Sequence, residues 1–196
     1  MTNRVVVGIS GASGAGLGLR ILEILSGAGD IETHLVVSKA GRQTLRHELG
    51  PQGPRRAEAL ADVVHPVGAI GDTIASGSFR THGMIVAPCS IRTLSAISCC
   101  LADNLLTRAA DVHLKERRPL VLLVRESPLH LGHLRAMTAA TEMGAIVCPP
   151  VPSFYHFPQT IEAMIDQMAH RAVDLLKLAS IEPATSWQGL APAQAE

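Results

Sequence analysis

The sequence predicts an α/β fold in a single domain, a parallel sheet covered by helices on both faces. Three observations carry this. Valine- and leucine-rich runs recur along the chain and alternate with segments whose apolar residues fall at helical spacing. The strand-like runs are continuously apolar, the pattern of strands buried on both faces. The 196 residues are 47% hydrophobic, enough for one substantial core.

Residues 4–9 open the chain as a buried strand, with Val5, Val6 and Val7 in succession. Residues 14–25 follow as a helix that sets Leu17, Ile21, Leu22 and Leu25 on one face. A second strand covers 33–37, and Ser38 is placed to cap a helix over 40–49. The Pro- and Gly-bearing stretch 50–54 is expected as a loop. Residues 84–87 form a third strand and 120–124 a fourth. A short fifth, 145–148, runs into Pro149, Pro150 and Pro152. Further helices are expected over 93–102, 109–116, 131–143 and 160–177. The domain is placed at residues 1–180. The Ala-, Pro- and Gln-rich tail, 181–196, is expected at the surface or against a neighbouring subunit.

Composition narrows the function. Lysine plus arginine equal aspartate plus glutamate at 17 each, so no net field points to nucleic acid or anionic lipid. Aromatic residues make up 3%, too few for stacking on single-stranded nucleic acid. The apolar runs are too short and interrupted to span a bilayer, and the chain enters a strand without the pattern of a signal peptide. Cys89, Cys99, Cys100 and Cys148 show no CxxC spacing, which fits free thiols in a reducing cytoplasm.

Ligands of parallel α/β sheets sit at the carboxyl ends of the strands. The segments that follow the strands are GASG (11–14), Ser38, PCSIRT (88–93), RESP (125–128) and PPVPSFYH (149–156), rich in hydroxyl and charged side chains. In the first, glycines at 11, 14, 16 and 18 fit no frame of G-x-G-x-x-G, and the second strand ends in Ser38 and not in an acid. A dinucleotide site is therefore disfavoured, and no Gly-Lys-Ser/Thr marks a P-loop. A strand–turn–helix with free amides suits the phosphate of a mononucleotide such as FMN, with Ser13 adding a hydroxyl. The competing reading is a glycine turn needed only for tight packing.

Arg108 and Lys115 are two helical turns apart, so both project from one face, and we expect them to clamp a phosphate uncompensated by acid. A solvated basic face is the alternative. Arg125 and Glu126 stand where an apolar strand ends, and a carboxylate among cations there is suited to acid–base work; a structural ion pair is the alternative. The sheet is expected to limit the solvation of Glu126. His130 and His133 lack a third ligand in sequence, so no metal is expected. Cys89 is expected as a small buried hydrophobe and not a nucleophile.

Together GASG, PCSIRTL, DNLLTRAADVHLKERRPLVLLVRESPLH and PPVPSFYHFPQT resemble the UbiX/Pad-type flavin prenyltransferase family, over residues 5 to about 176. The resemblance implies a flavodoxin-like (Rossmann-like) three-layer sandwich that assembles as a homo-oligomer, a dodecamer. It implies alkylation of reduced FMN by dimethylallyl monophosphate, with prenylated FMN passing to a UbiD-type decarboxylase and no metal required. By position, Gly11, Ala12, Ser13, Ser38, Ser90, Ile91, Arg92, Thr93 and Arg125 match FMN contacts. Arg108, Lys115, Tyr155 and Arg171 match residues that hold the prenyl phosphate, some across a subunit boundary. Glu126 matches the acid–base residue and Glu48 a second acid near it.

The chain departs from the family pattern at Gly16 and Leu17 (commonly Ile-Tyr), at Cys100 (commonly Gly), at Ala136 (often Asn) and at Phe157, where a basic residue is common. Two other readings follow. One is FMN-dependent oxidative decarboxylation of a cysteine-derived carboxylate, whose PASANT-like string is PCSIRT here. The other is a non-catalytic flavoprotein that stores or delivers flavin.

Overall fold

The computed structural model of the chain describes residues 3–187 and 189 of the 196. A six-stranded, fully parallel sheet has the order β3-β2-β1-β4-β5-β6. Its strands are β1 (Asn3–Ile9), β2 (Ile31–Val37), β3 (Val63–His65), β4 (Gly83–Cys89), β5 (Leu120–Val124) and β6 (Ile146–Val147). The helices are α1 (Ala15–Gly27), α2 (Lys39–Leu49), α3 (Gly53–Ala59), α4 (Ile91–Ser98), α5 (Leu105–Lys115), α6 (Leu131–Glu142) and α7 (Ile161–Asp174). This is the flavodoxin-like three-layer arrangement that the sequence implies.

Each central strand feeds two cores, because successive side chains leave opposite faces of the sheet. Val5, Val7 and Ile9 pack with Leu22 and Leu25 of α1, Leu45 of α2 and Val173 of α7. Val6, Val86 and Leu122 pack on the other face with Leu94 of α4, Leu106 of α5 and Ala140 of α6. Burying an aliphatic side chain of this size contributes roughly 1.5–3 kcal/mol, which explains why the valine run of β1 shows no polar alternation. An ion pair from Arg20 of α1 to Asp166 of α7, 2.7 Å, fixes those two helices side by side.

All five expected strands are present. The sixth, β3, was not expected: it is three residues long and forms the edge of the sheet, with Val63 and Val64 exposed. The expected loop 50–54 is shorter than predicted, because Pro54 stands in the first turn of α3 and starts a helix there. Helix α4 begins two residues early and ends four early. Ser90 Oγ caps it by accepting from the Thr93 amide (3.3 Å), and Cys100 has φ 55°, which no α-helix continues. Helix α5 begins at Leu105, where Asn104 Oδ1 accepts from the Thr107 amide (3.1 Å). Half of the predicted tail, residue 188 and residues 190–196, lies outside the described residues; within them, Trp187 meets the Tyr155 ring edge-on at 4.8 Å.

Candidate FMN crevice and adjoining clefts

Strands β1 and β4 are neighbours, and the chain leaves β1 toward β2 but leaves β4 toward β5, so the connections from the two strands run in opposite directions. A crevice opens at such a switch point, beyond the carboxyl ends of the strands. Its turns are tied together by buried Ser10, which donates through Oγ to the Pro88 carbonyl (2.8 Å) and accepts from the Ser90 amide (2.7 Å). The crevice measures about 570 Å³ and gathers Gly11, Ser38, Ser90, Arg92 and Thr93. Five of the expected contacts thus share one cavity. Ser38 and Ser90 cap α2 and α4, so the amino ends of both helices face it. A Cβ on Gly11 would stand 2.4 Å from that of Ala40, so this turn also needs glycine for packing. The wall adds Val67, Gly68, Asp103 and Asn104, which strand-end reasoning missed. Val67 and Gly68 follow the overlooked strand β3, whereas the cap pattern Asn104-x-x-Thr107 was a usable signal.

Ser13 lies beside the crevice in a second cleft of about 640 Å³, with Glu48, His47 and Gln43. The Glu48 carboxylate accepts from the amides of Gly14 (3.0 and 3.1 Å) and Ala15 (2.7 Å). The amides expected to be free for a phosphate are therefore met by the chain's own anion, favourably placed at the positive end of α1.

The cations depart further from expectation. Asp111 stands one turn from Arg108 and binds its Nη1 at 2.6 Å, while Arg108 Nε donates to the Ala75 carbonyl at 3.3 Å. Lys115 pairs with Glu116, Arg92 with Asp103, and Arg171 with Asp174 (2.7 Å). The α5 cations are thus compensated: Asp111 lies at the i,i+3 spacing that puts it beside Arg108, and Glu116 directly follows Lys115. Arg125 and Glu126 are exposed, and neither has an ion-pair partner among the described residues. Glu126 Oε1 accepts from the Ser127 amide at 3.0 Å. Its solvation is not limited by the sheet, because β5 ends at Val124 and the chain turns outward. Tyr155 and Arg171 line a third cleft of about 330 Å³ with His156 and His170. Ala12, Ile91, Arg108, Lys115, Arg125 and Glu126 lie outside the walls of all three clefts.

Cys89 is fully buried, and burial pushes its thiol up to about 12, so it offers no thiolate at neutral pH. Among the described residues, no three His, Cys, Asp or Glu side chains gather as a metal site would need.

The Flavoprotein family model matches residues 1–167. The flavin prenyltransferase UbiX of Escherichia coli (strain K12) is 56% identical over 187 residues, covering 95% of this chain and 98% of that protein. The chain belongs to the UbiX-type flavin prenyltransferase family. Two solved structures place the family resemblance in three dimensions. AnUbiX (PadA1), crystallised with FMN and dimethylallyl pyrophosphate, is 45% identical with a TM-score of 0.88, covering 96% of this chain and 100% of that one. A dodecameric FMN-dependent UbiX-like decarboxylase from Escherichia coli O157:H7 is 45% identical with a TM-score of 0.90, covering 95% and 100%. The UbiX-type likeness therefore spans nearly the whole chain, 95–96% of it in each case.

Proposed function

We propose that this chain is a flavin prenyltransferase that moves the dimethylallyl group of dimethylallyl monophosphate onto reduced FMN. The prenylated FMN then serves a UbiD-type decarboxylase. The observation that carries the reading is the crevice at the β1/β4 switch point, which collects five matched residues in a chain 56% identical to a flavin prenyltransferase.

The crevice suits FMN. Its volume lies in the range of small-ligand sites. Val67 and Ala40 give it apolar wall, while two capped helix ends, Arg92 and the Ser38 and Ser90 hydroxyls give it polar anchors. Bound reduced flavin supplies the electron-rich ring that accepts the prenyl group. The chain's part is to help phosphate depart, since phosphate leaves readily only where cations and a proton donor take up its charge. Arg108, Lys115, Tyr155 and Arg171 are assigned to hold it. Glu126, with Glu48 and Ser13 near the turn, is assigned to exchange protons with phosphate and flavin. Ala12, Ile91 and Arg125 are assigned to FMN. Tyr155 and Arg171 line a cleft without Arg108 or Lys115, which supports a substrate site completed by a second copy of the chain in a dodecamer. The four cysteines are free thiols, which supports a reducing compartment, the cytoplasm. No described helix is long and apolar enough to cross a membrane.

The test is incubation with FMN, a reductant and either the dimethylallyl monophosphate or the pyrophosphate, followed by mass spectrometry of the extracted flavin. Prenylated flavin is expected, made with the monophosphate. Recovery of unmodified FMN alone from both donors would leave a flavin carrier, and loss of carbon dioxide from a cysteine-ended peptide would make the chain a decarboxylase.

A further inference from the structure

Away from the clefts, four side chains form one hydrogen-bonded row between the edge of the sheet and the loop 66–82. Glu32 Oε1 meets His34 Nε2 at 2.9 Å, His34 Nδ1 meets His65 Nε2 at 2.9 Å, and His65 Nδ1 meets Asp72 Oδ2 at 2.8 Å. His34 and His65 are almost fully buried, at 2% and 4% exposure. Their ring centroids are 5.2 Å apart and the planes 18° from parallel. With the two nitrogens only 2.9 Å apart, the rings meet edge to edge in nearly one plane, where N–H bonds and lone pairs lie. By contrast, His130 and His133 lie one above the other, centroids 3.5 Å apart.

Counting protons decides what this row holds. An ionised carboxylate only accepts, so His34 Nε2 and His65 Nδ1 must each carry a proton. The central N···N contact needs a third, since two bare nitrogens at that distance would set lone pair against lone pair. Two neutral rings hold two protons. We propose that the closed row stores one additional proton on His65, and that losing this proton releases the loop 66–82 from the sheet. Burial and the neighbouring His65 lower the proton affinity of His34, although Glu32 opposes them, which makes His34 the neutral, accepting ring. His65 then donates from both nitrogens, to His34 and to Asp72.

The surroundings fit a held positive charge. Asp72 is kept below the usual carboxylate range by its bond from His65 and by the Thr73 amide. Glu32 is also kept low: burial opposes ionisation, but bonds from His34 and Arg4 outweigh it. Asp62 is ionised nearby, accepting from the Thr33 amide and hydroxyl. The cation facing the row is Arg4 of β1, which pairs with Glu32 at 3.1 Å and lies over Phe79, while Arg118 holds the loop itself by donating to the Phe79 and Gly77 carbonyls. Phe79 closes the face of His34 edge-on at 5.2 Å. The loop that Asp72 anchors carries Val67 and Gly68 in the crevice wall and the Ala75 carbonyl that receives Arg108. The sign follows directly: the closed row binds one more proton than the open one, so rising pH favours opening.

The full chain, labelled with ¹⁵N-histidine, tests this by long-range ¹H–¹⁵N correlation and amide exchange, neither of which depends on flavin. At pH 7 one ring of the row is expected with both nitrogens protonated and the other as the Nε2–H tautomer. Raising the pH until that signature disappears is expected to lower the exchange protection of loop amides such as Ala75 and Phe79 by about tenfold, the scale of one net hydrogen bond. Strand β4 should keep its protection. Asp72→Asn keeps the shape, removes the charge, and is expected to abolish the doubly protonated ring at pH 7. His82→Gln, outside the row, should leave it unchanged and completes the assignment. Two neutral rings at pH 7, or loop protection that ignores the loss of the proton, would overturn the proposal.

Discussion

Glu126→Gln is expected to lose at least ~100-fold of prenyl transfer, the usual scale for a general acid–base group, while FMN affinity stays within a few-fold. The substitution isolates proton exchange. Glutamine has the same size, and its amide oxygen can keep the bond that Glu126 Oε1 accepts from the Ser127 amide at 3.0 Å. The turn after β5 therefore keeps its geometry. Glu126 is exposed and lies outside the crevice wall, so flavin binding should be nearly indifferent to it. The expected signature is a fall in turnover with little change in the flavin dissociation constant, read by single-turnover mass spectrometry and by flavin fluorescence titration. A variant that turns over near the unmodified rate would make Glu126 a structural residue of the turn.

Gly18→Ala should cost about 1–3 kcal/mol, the range for forcing extra volume into a packed core, and lower the melting temperature by roughly 3–10 °C. A Cβ at this position would stand 2.4 Å from the Ala87 carbonyl oxygen and 3.0 Å from the Ile9 side chain. The carbonyl belongs to the backbone of β4 and cannot swing aside, so α1 must lift from the sheet. Since the turn Gly11–Gly14 leads directly into α1 and Ser90 directly follows β4, the same shift opens the crevice, and FMN binding should weaken with stability. Gly27→Ala is the control: it lies in the same helix with nothing within 4 Å of the added carbon. Its melting point should match or slightly exceed that of the unmodified protein, by calorimetry. Equal melting of Gly18→Ala and the unmodified chain would mean that α1 packs less tightly on β4 than the 2.4 Å approach to the Ala87 carbonyl implies.

The centre of the sheet was legible because β1, β2, β4 and β5 are five to seven residues long, mostly apolar and buried on both faces. Val63–His65 escaped because a three-residue edge strand with two exposed valines presents no apolar run. Helix boundaries failed where a cap decided them: Ser90 and Asn104 start α4 and α5 earlier than periodicity alone places them. Within the crevice, Gly11, Ser38, Ser90, Arg92 and Thr93 were legible because each closely follows a strand end. Charge pairing was not. Asp111 was in plain view one turn from Arg108, yet which of its neighbours an arginine takes depends on side-chain directions that spacing only suggests. The exposure of Glu126 and the seat of Glu48 on the α1 amides are tertiary facts, set by where β5 stops and how α2 lies against α1.

Tyr155 and Arg171 stand in a cleft of their own, away from the cations of α5. If one catalytic centre draws on both sets from different copies, a damaged chain harms its neighbour's centre as well as its own. A chain lacking Arg171 and a chain lacking Arg108 are then each inactive alone, yet a mixed assembly contains some centres with both arginines intact. Heredity would see complementation between two null alleles of one gene, and a dilute solution would see specific activity fall as the copies part.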